Sequence, residues 1–137
     1  MNISEKIILN KKLLDKTVNF DAVFSDESVN YMNPNEPSDR DCVQVRLRVG
    51  TNEADAVFFV SEGTEEVMTV EKTDGMFDYY SLTVPPENKN RRYLFKINSA
   101  GRIFYYNRYG ISEEKNEAGS FVIDRNYKTP DWTKNAV

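Results

Sequence analysis

The chain has 137 residues, no histidine, one cysteine and a net charge of −4. That length suits one domain able to bury about two-thirds of its unfolded surface. An acidic balance with pI near 5.0 excludes nucleic acid as a main partner, because phosphate binding needs a basic patch. Without histidine, the commonest general base and metal ligand is missing, and Ser-His-Asp or Cys-His catalysis is excluded within the chain. Cys42 stands alone, so no internal disulfide forms. No apolar run reaches about 18 residues, so no membrane span is expected. Met1 to Leu9 lacks a basic stretch followed by a long apolar one, so no secretion signal is expected there.

In chain order, residues 1–19 read as an N-terminal extension, and residues 4–16 within it suit either a short helix or an edge strand. Residues 20–25 alternate, which predicts a strand with Phe20, Ala22 and Phe24 on one face. Residues 26–41 form a long turn-rich loop; loops of that length are uncommon unless functional or flexible. In residues 42–49, Val43, Val45, Leu47 and Val49 alternate with Gln44, Arg46 and Arg48. That is a half-buried strand with a charged outer face. Cys42 belongs to this pattern and reads as a small buried hydrophobe. Residues 55–61 are more continuously apolar and suit a central strand, and residues 66–72 place Met68 and Val70 on one side.

Asp74-Gly75 then predicts a hairpin whose two turn residues accept positive φ. Its second strand, residues 77–84, places Tyr80, Leu82 and Val84 opposite Tyr79, Ser81 and Thr83. Pro85-Pro86 ends it. Residues 92–98 alternate Tyr93, Phe95 and Ile97 with Leu94 and Lys96. A turn at residues 98–101 leads into Arg102 to Tyr106, where Phe104 and Tyr106 oppose Ile103 and Tyr105. A loop at 107–118 precedes a short strand at 120–124. Short strands with turn signals roughly every 8–12 residues predict an all-β fold over residues 20–126, an antiparallel sandwich of about seven to eight strands. Residues 127–137 read as a linker: Pro130 favours extended backbone, and Trp132 follows before Ala136-Val137.

Several motifs, taken in order, carry a resemblance. Pro130-Asp131-Trp132 to Ala136-Val137 resembles the hinge that precedes the catalytic barrel in α-amylase-type enzymes of glycoside hydrolase family 13. Ala22-Val23-Phe24-Ser25 resembles the first strand of the N-terminal domain of neopullulanases and cyclomaltodextrinases, carbohydrate-binding module family 34. Asn33 to Pro37, then Asp41 to Arg48, resembles that domain's Pro-rich turn and V-x-V/I-R-L-R strand. Asp74 to Tyr80, Arg92 to Ile97 and Ile103 to Gly110 are similar to three further segments of it. The resemblance implies an immunoglobulin-like sandwich used as an accessory domain, with the catalytic acids in a barrel beyond Val137.

The residues present fit that expectation. Retaining glycoside hydrolysis needs two carboxylates about 5–5.5 Å apart. The acid pairs Glu65-Glu66, Glu113-Glu114 and Asp39/Asp41 lie in polar turns, where solvated charge is the default. No catalytic residue, cofactor or metal site is expected. Asp39-Arg40-Asp41 and Asp74 near Asp78 lack EF-hand spacing. Sugar contact needs exposed aromatic faces beside polar side chains, and Tyr31, Tyr79, Tyr106 and Tyr109 are the candidates; each also suits a core or interface role. The resemblance implies α-glucan or maltooligosaccharide as ligand, a catalytic barrel in the same chain as partner with Trp132 anchoring it, and a homodimer in related enzymes. The alternative is a purely structural interaction domain without sugar binding. The unpaired cysteine suits the cytoplasm, with a secreted parent as the alternative.

Overall fold

Strand alternation decides which side chains enter the interior. The computed structural model describes residues 19–125, so the expected extension through residue 18 and the linker with Trp132 lie outside the described residues. The strands are β1 Met32–Asn33, β2 Val43–Gly50, β3 Ala56–Ser61, β4 Thr64–Val67, β5 Thr69–Thr73, β6 Phe77–Val84, β7 Arg91–Ser99, β8 Arg102–Asn107, β9 Gly110–Ser112 and β10 Phe121–Ile123. They form two sheets, one ordered β1-β2-β6-β5 and the other β4-β3-β7-β8-β9, with β10 paired to β7. Neighbouring strands pair antiparallel throughout. This is the immunoglobulin-like sandwich that the resemblance implies, with ten strands among the described residues where about seven to eight were expected.

The inward faces match the alternation. Val43, Val45, Leu47 and Val49 of β2 are fully buried, and β6 contributes Tyr80 and Val84. From the other sheet come Val57, Phe59, Tyr93, Phe95, Ile97 and Phe104. Burying each of these contributes about 1.5–3 kcal/mol. An aromatic stack crosses the centre: Tyr93 lies 5.0 Å from Phe59 and 5.4 Å from Phe121, centroid to centroid. Phe121 in turn lies 5.8 Å from Phe95 and 6.1 Å from Tyr106. Tyr93 is 1% exposed and its hydroxyl has no hydrogen-bond partner among the described residues. Burial pushes its pKa well above the usual tyrosine value. An orphaned buried hydroxyl carries a desolvation cost of about 1–3 kcal/mol. Tyr93→Phe is therefore expected to leave stability unchanged or to raise it by up to about 1 kcal/mol; urea unfolding checks this, and a loss above that size would reveal a hydroxyl partner.

Four expectations are corrected. Residues 20–25 are not a strand: Phe20–Ala22 form a 3-10 turn capped by the Asn19 side chain, and Phe24 makes a lone bridge to Arg48. Asn19 and Asp21 favour turns by bonding the nearby backbone. Residues 66–72 are not one strand of one sheet. The chain passes from β4 in one sheet to β5 in the other at Met68, whose N–H donates to the Val57 carbonyl at 2.8 Å. Met68 is buried while Val67 and Val70 are exposed, because the crossing turns one side chain inward and leaves its neighbours on an edge. In the hairpin, Gly75 takes a positive φ of 91° and Asp74 does not. The Asp74 carboxylate instead accepts the N–H groups of Phe77 at 2.9 Å and Met76 at 3.1 Å. Cys42 is exposed, since inward Val43 turns its immediate neighbour outward.

The long loop holds β1, and the 107–118 segment holds β9 and the start of a second 3-10 turn, Glu117–Gly119. The turn after β7 is tight, with Ala100 and Gly101 at φ 52° and 77°, the pairing that matches strand twist. Among the described residues no helix is long and apolar enough to cross a membrane.

Candidate functional site

The same alternation that fills the core sets out a row of side chains on the outer face of the β1-β2-β6-β5 sheet. Arg46 and Arg48 of β2 lie opposite Ser81 and Tyr79 of β6, and Gly50 lies opposite Phe77. Arg48 is the centre of an aromatic cluster. Its guanidinium carbon sits 4.4 Å from the Phe77 ring centroid and 5.5 Å from that of Phe24. Such cation–π contacts contribute about 0.5–1 kcal/mol at exposed sites. Phe24 meets Tyr31 edge to face at 5.1 Å, and Phe77 meets Tyr79 at 6.5 Å. Arg48 Nε also donates to the Ala22 carbonyl at 3.0 Å, which fastens the Phe24 segment to the sheet.

Polar groups border the rings. A bulge in β5 falls between Val70 and Lys72; bulges re-aim side chains, and here both residues after Val70 reach the outer face. Lys72 Nζ lies 4.9 Å from the Tyr79 ring centroid. Glu71 reaches across β6 and accepts Arg46 Nη2 at 2.8 Å and Gln44 Nε2 at 2.6 Å; Ser81 and Thr83, both small, leave the way open. Arg46 Nη1 also donates to the Asn30 carbonyl at 2.7 Å. Tyr79 donates its hydroxyl to Asp74 at 3.4 Å. The Phe77 N–H, then that of Met76, holds the Asp74 carboxyl below its ordinary range. Burial, then the Asp74 charge, raises the Tyr79 hydroxyl above its own. At neutral pH the pair is thus an ionised acceptor and a neutral donor. The face offers flat apolar rings, fixed cationic N–H donors and carboxylate acceptors. These groups suit a neutral ligand with apolar faces and a hydroxyl rim.

The sequence candidates divide. Tyr31 and Tyr79 both join this cluster, through Phe24, Arg48 and Phe77. Tyr106 is a correction: it is 9% exposed, stacks on Phe121, and donates its hydroxyl to the Ser25 carbonyl at 3.5 Å. Its ring is in the interior and offers no face to a sugar. Tyr109 stands apart on the β8–β9 turn at 73% exposure. Trp132 lies outside the described residues. Sequence reasoning missed Phe24, Phe77 and Arg48. For Arg48 and Phe77 the signal was present, since period two puts them on the outer face with Tyr79. No signal marked Phe24, which lies outside the named strands and joins β2 by a lone bridge to Arg48.

Catalytic chemistry finds no support among the described residues. Glu65, Glu66, Glu113, Glu114 and Asp39 are exposed, and Glu65 pairs with Lys96 at 3.0 Å. No group of three or more His, Cys, Asp or Glu that could hold a metal ion occurs among the described residues.

Comparison with known proteins then places the chain. The family model described as "Alpha amylase, N-terminal ig-like domain" matches residues 19–126. Among solved structures, a cyclomaltodextrinase shares 22% identity at a TM-score of 0.64, over 85% of this chain and 22% of that one. A maltogenic amylase from S. marinus shares 17% identity at a TM-score of 0.64, over 79% of this chain and 14% of its own. The type III pullulan hydrolase from Thermococcus kodakarensis shares 15% identity at 0.57, over 78% of this chain and 17% of its own. The chain therefore spans less than a quarter of the length of these relatives, and at such identities the likeness bears on the fold. With the family match running from the first 3-10 turn to just past β10, this protein belongs to the N-terminal Ig-like domain family of the alpha amylases.

Proposed function

We propose that this domain is a non-catalytic accessory module of an α-glucan-hydrolysing enzyme of the neopullulanase and cyclomaltodextrinase kind, and that its outer four-stranded face contacts starch-like α-glucan. The observation that carries the reading is the meeting of Tyr31 and Tyr79 around Arg48, with Phe24 and Phe77 between them and Asp74, Lys72 and the Arg46–Glu71 pair at the rim. Glucose rings present C–H faces that pack on aromatic rings, while their hydroxyls bond to fixed charged groups. The catalytic barrel would follow in the same parent chain, with Trp132 against it. An exposed Cys42 thiol suits a reducing compartment such as the cytoplasm.

Titration with maltooligosaccharides and β-cyclodextrin, followed by amide NMR, tests the reading. Shifts are expected at Arg48, Phe77 and Tyr79, and Tyr79→Ala should weaken binding roughly tenfold, the size of one lost aromatic contact. No perturbation at millimolar ligand sinks the binding part, and glucan hydrolysis by the chain overturns the accessory part. One observation favours a second reading, a structural domain that mediates homodimers. Val67 on β4 and Val70 on β5, each an edge strand of its sheet, are exposed at 61% and 51%, and Met76 in the β5–β6 hairpin at 72%. Sedimentation that shows a dimer lost in Val70→Lys would support it.

A further inference from the structure

We infer that the outer face of the six-stranded sheet is a docking surface for the chain's own N-terminal segment, whose aliphatic residues between Ile7 and Leu14 cover it. The inference is independent of the sugar reading and concerns the opposite face of the sandwich.

The two outer faces differ in kind. That of the four-stranded sheet carries Gln44, Arg46, Arg48, Ser81 and Thr83. In the other sheet, Val57, Phe59, Ile97 and Phe104 fill the interior. The strand period then turns Phe58 and Val60 of β3, Leu94 and Lys96 of β7, and Ile103 and Tyr105 of β8 outward. The register groups them: Phe58 lies opposite Lys96, Lys96 opposite Tyr105, and Val60 opposite Leu94. Lys96 does not make this face polar. Its Nζ lies 5.2 Å from the Phe58 ring centroid and pairs with Glu65 at 3.0 Å. A strand that is apolar on both faces, as Ala56–Ser61 is, belongs in a sheet covered on both faces.

Burial points the same way. Val60 and Leu94 are 3% and 2% exposed, yet they stand outside the interior cluster. They floor a cleft of about 210 Å³ bordered by Glu62, Arg92, Glu117 and Ser120. Among the described elements, the Glu117–Gly119 turn alone lies off the sheet at this cleft. It precedes β10, which pairs with the start of β7. It therefore leaves uncovered the far end of the face, where Ile103 is 46% exposed.

The chain supplies a matching cover. The segment up to Val18 contains Ile7, Ile8, Leu9, Leu13 and Leu14, and its four lysines against Glu5 and Asp15 give it a net +2 in a chain of −4. Glu62, Glu65 and Glu117 at the margins of the face complement that charge. The point of entry is also suitable. The Asn19 N–H donates to Glu53 Oε1 at 2.5 Å, and the Ser99 hydroxyl at the end of β7 donates to the Glu53 carbonyl. The Phe20 ring lies 5.4 Å from that of Phe104, the neighbour of Ile103. The segment thus joins the domain at the Ile103 end of the sheet. From Ser99 to Leu94 is about 17 Å along β7. Eighteen residues reach about 60 Å when extended and about 27 Å as a helix, so either conformation spans the face. The residues from 126 onward, which leave from the other end, contain no Ile or Leu.

The test is methyl and amide NMR of the full chain, for wild type and for one variant that combines Ile7→Ser, Ile8→Ser, Leu13→Ser and Leu14→Ser. In wild type, methyl groups of Ile7, Ile8, Leu9, Leu13 or Leu14 should show nuclear Overhauser contacts to those of Val60, Leu94 and Ile103. The variant should lose these contacts, shift the amides of Phe58, Val60, Leu94 and Tyr105, and bind the apolar dye ANS more strongly than wild type does. Unchanged amides at Val45 and Leu47, in the other sheet, establish that the variant folds; if it does not, the wild-type contacts decide alone. Contacts from Val60 and Leu94 to Tyr127 or Trp132 instead would overturn the inference in favour of the C-terminal residues. Contacts between differently labelled copies would overturn it in favour of a second chain. A face with no contact to any of these overturns it outright.

Discussion

Phe121→Ala is expected to lower the unfolding free energy by roughly 3–5 kcal/mol. Phe121 is 2% exposed and packs against Tyr93, Phe95 and Tyr106 at 5.4, 5.8 and 6.1 Å. Those three rings are fixed by β7 and β8, so they cannot close over the space a phenyl ring leaves. β10 has three residues and pairs only with the start of β7. Its attachment comes mainly from Phe121 and Ile123, both buried, with the Val122 N–H donated to Glu27 at 2.8 Å. Truncating the ring therefore both opens a cavity and loosens the strand. Phe121→Leu retains most of the volume and should cost about 1.5 kcal/mol. Urea unfolding of both variants checks the pair of values. A loss under about 1 kcal/mol for the alanine variant would mean that the aromatic stack collapses, against the close packing of protein interiors.

Arg125→Met is expected to cost about 3 kcal/mol and to loosen the loop before β2. Arg125 is 5% exposed, and its Nη1 donates to the carbonyls of Ser38 and Asp41, each at 2.7 Å. Its Nη2 donates to the Pro85 carbonyl at 3.1 Å, and its backbone N–H to Asn90 at 2.8 Å. The side chain thus gathers the long loop and the end of β6, while the backbone N–H reaches the approach to β7. Methionine keeps the stem but leaves these oxygens without their donor, and each buried orphan costs about 1–3 kcal/mol before relaxation admits water. Lysine recovers only part, because an ammonium cannot reproduce the planar fork that meets three carbonyls from two nitrogens. Denaturant unfolding measures the loss, and amide exchange at Ser38 and Asp41 should quicken in step with it. Unchanged exchange there would show that the loop is held by other means.

Much of the fold was legible because the side-chain period of a strand is two. The alternations at residues 42–49, 77–84 and 92–98 became β2, β6 and β7, and in β2 the apolar set faces inward as expected. They failed where the chain left a sheet. In residues 66–72 an apolar spacing of two continues through Met68 and Val70, yet Met68 faces the core and Val70 the solvent. A crossing between sheets leaves no mark in a local pattern. Cys42 was misread because a small apolar residue beside a strand was taken inward, against the phase already set by Val43. Tyr106 was misjudged for a related reason: the pattern paired it with Phe104 and opposed both to Tyr105, but gave no sign of which pair faced the interior.

By itself, then, the sequence determined the all-β class, the partition of each strand into two faces, the main turns, and the family to which the order of those motifs belongs. Only the tertiary structure decided which face of β8 is interior, where both faces carry aromatics. It also brought Phe24, Tyr31, Arg48, Phe77 and Tyr79 to one surface and left Tyr109 exposed on the β8–β9 turn. The reason is physical. Periodicity is a property of neighbouring residues, whereas burial and convergence depend on the pairing register between strands far apart in the chain. Arg48 faces outward by its spacing from Leu47 and Val49. It stands between Phe24 and Phe77 only because β2 pairs with β6 on one side and is bridged by the Phe24 segment on the other.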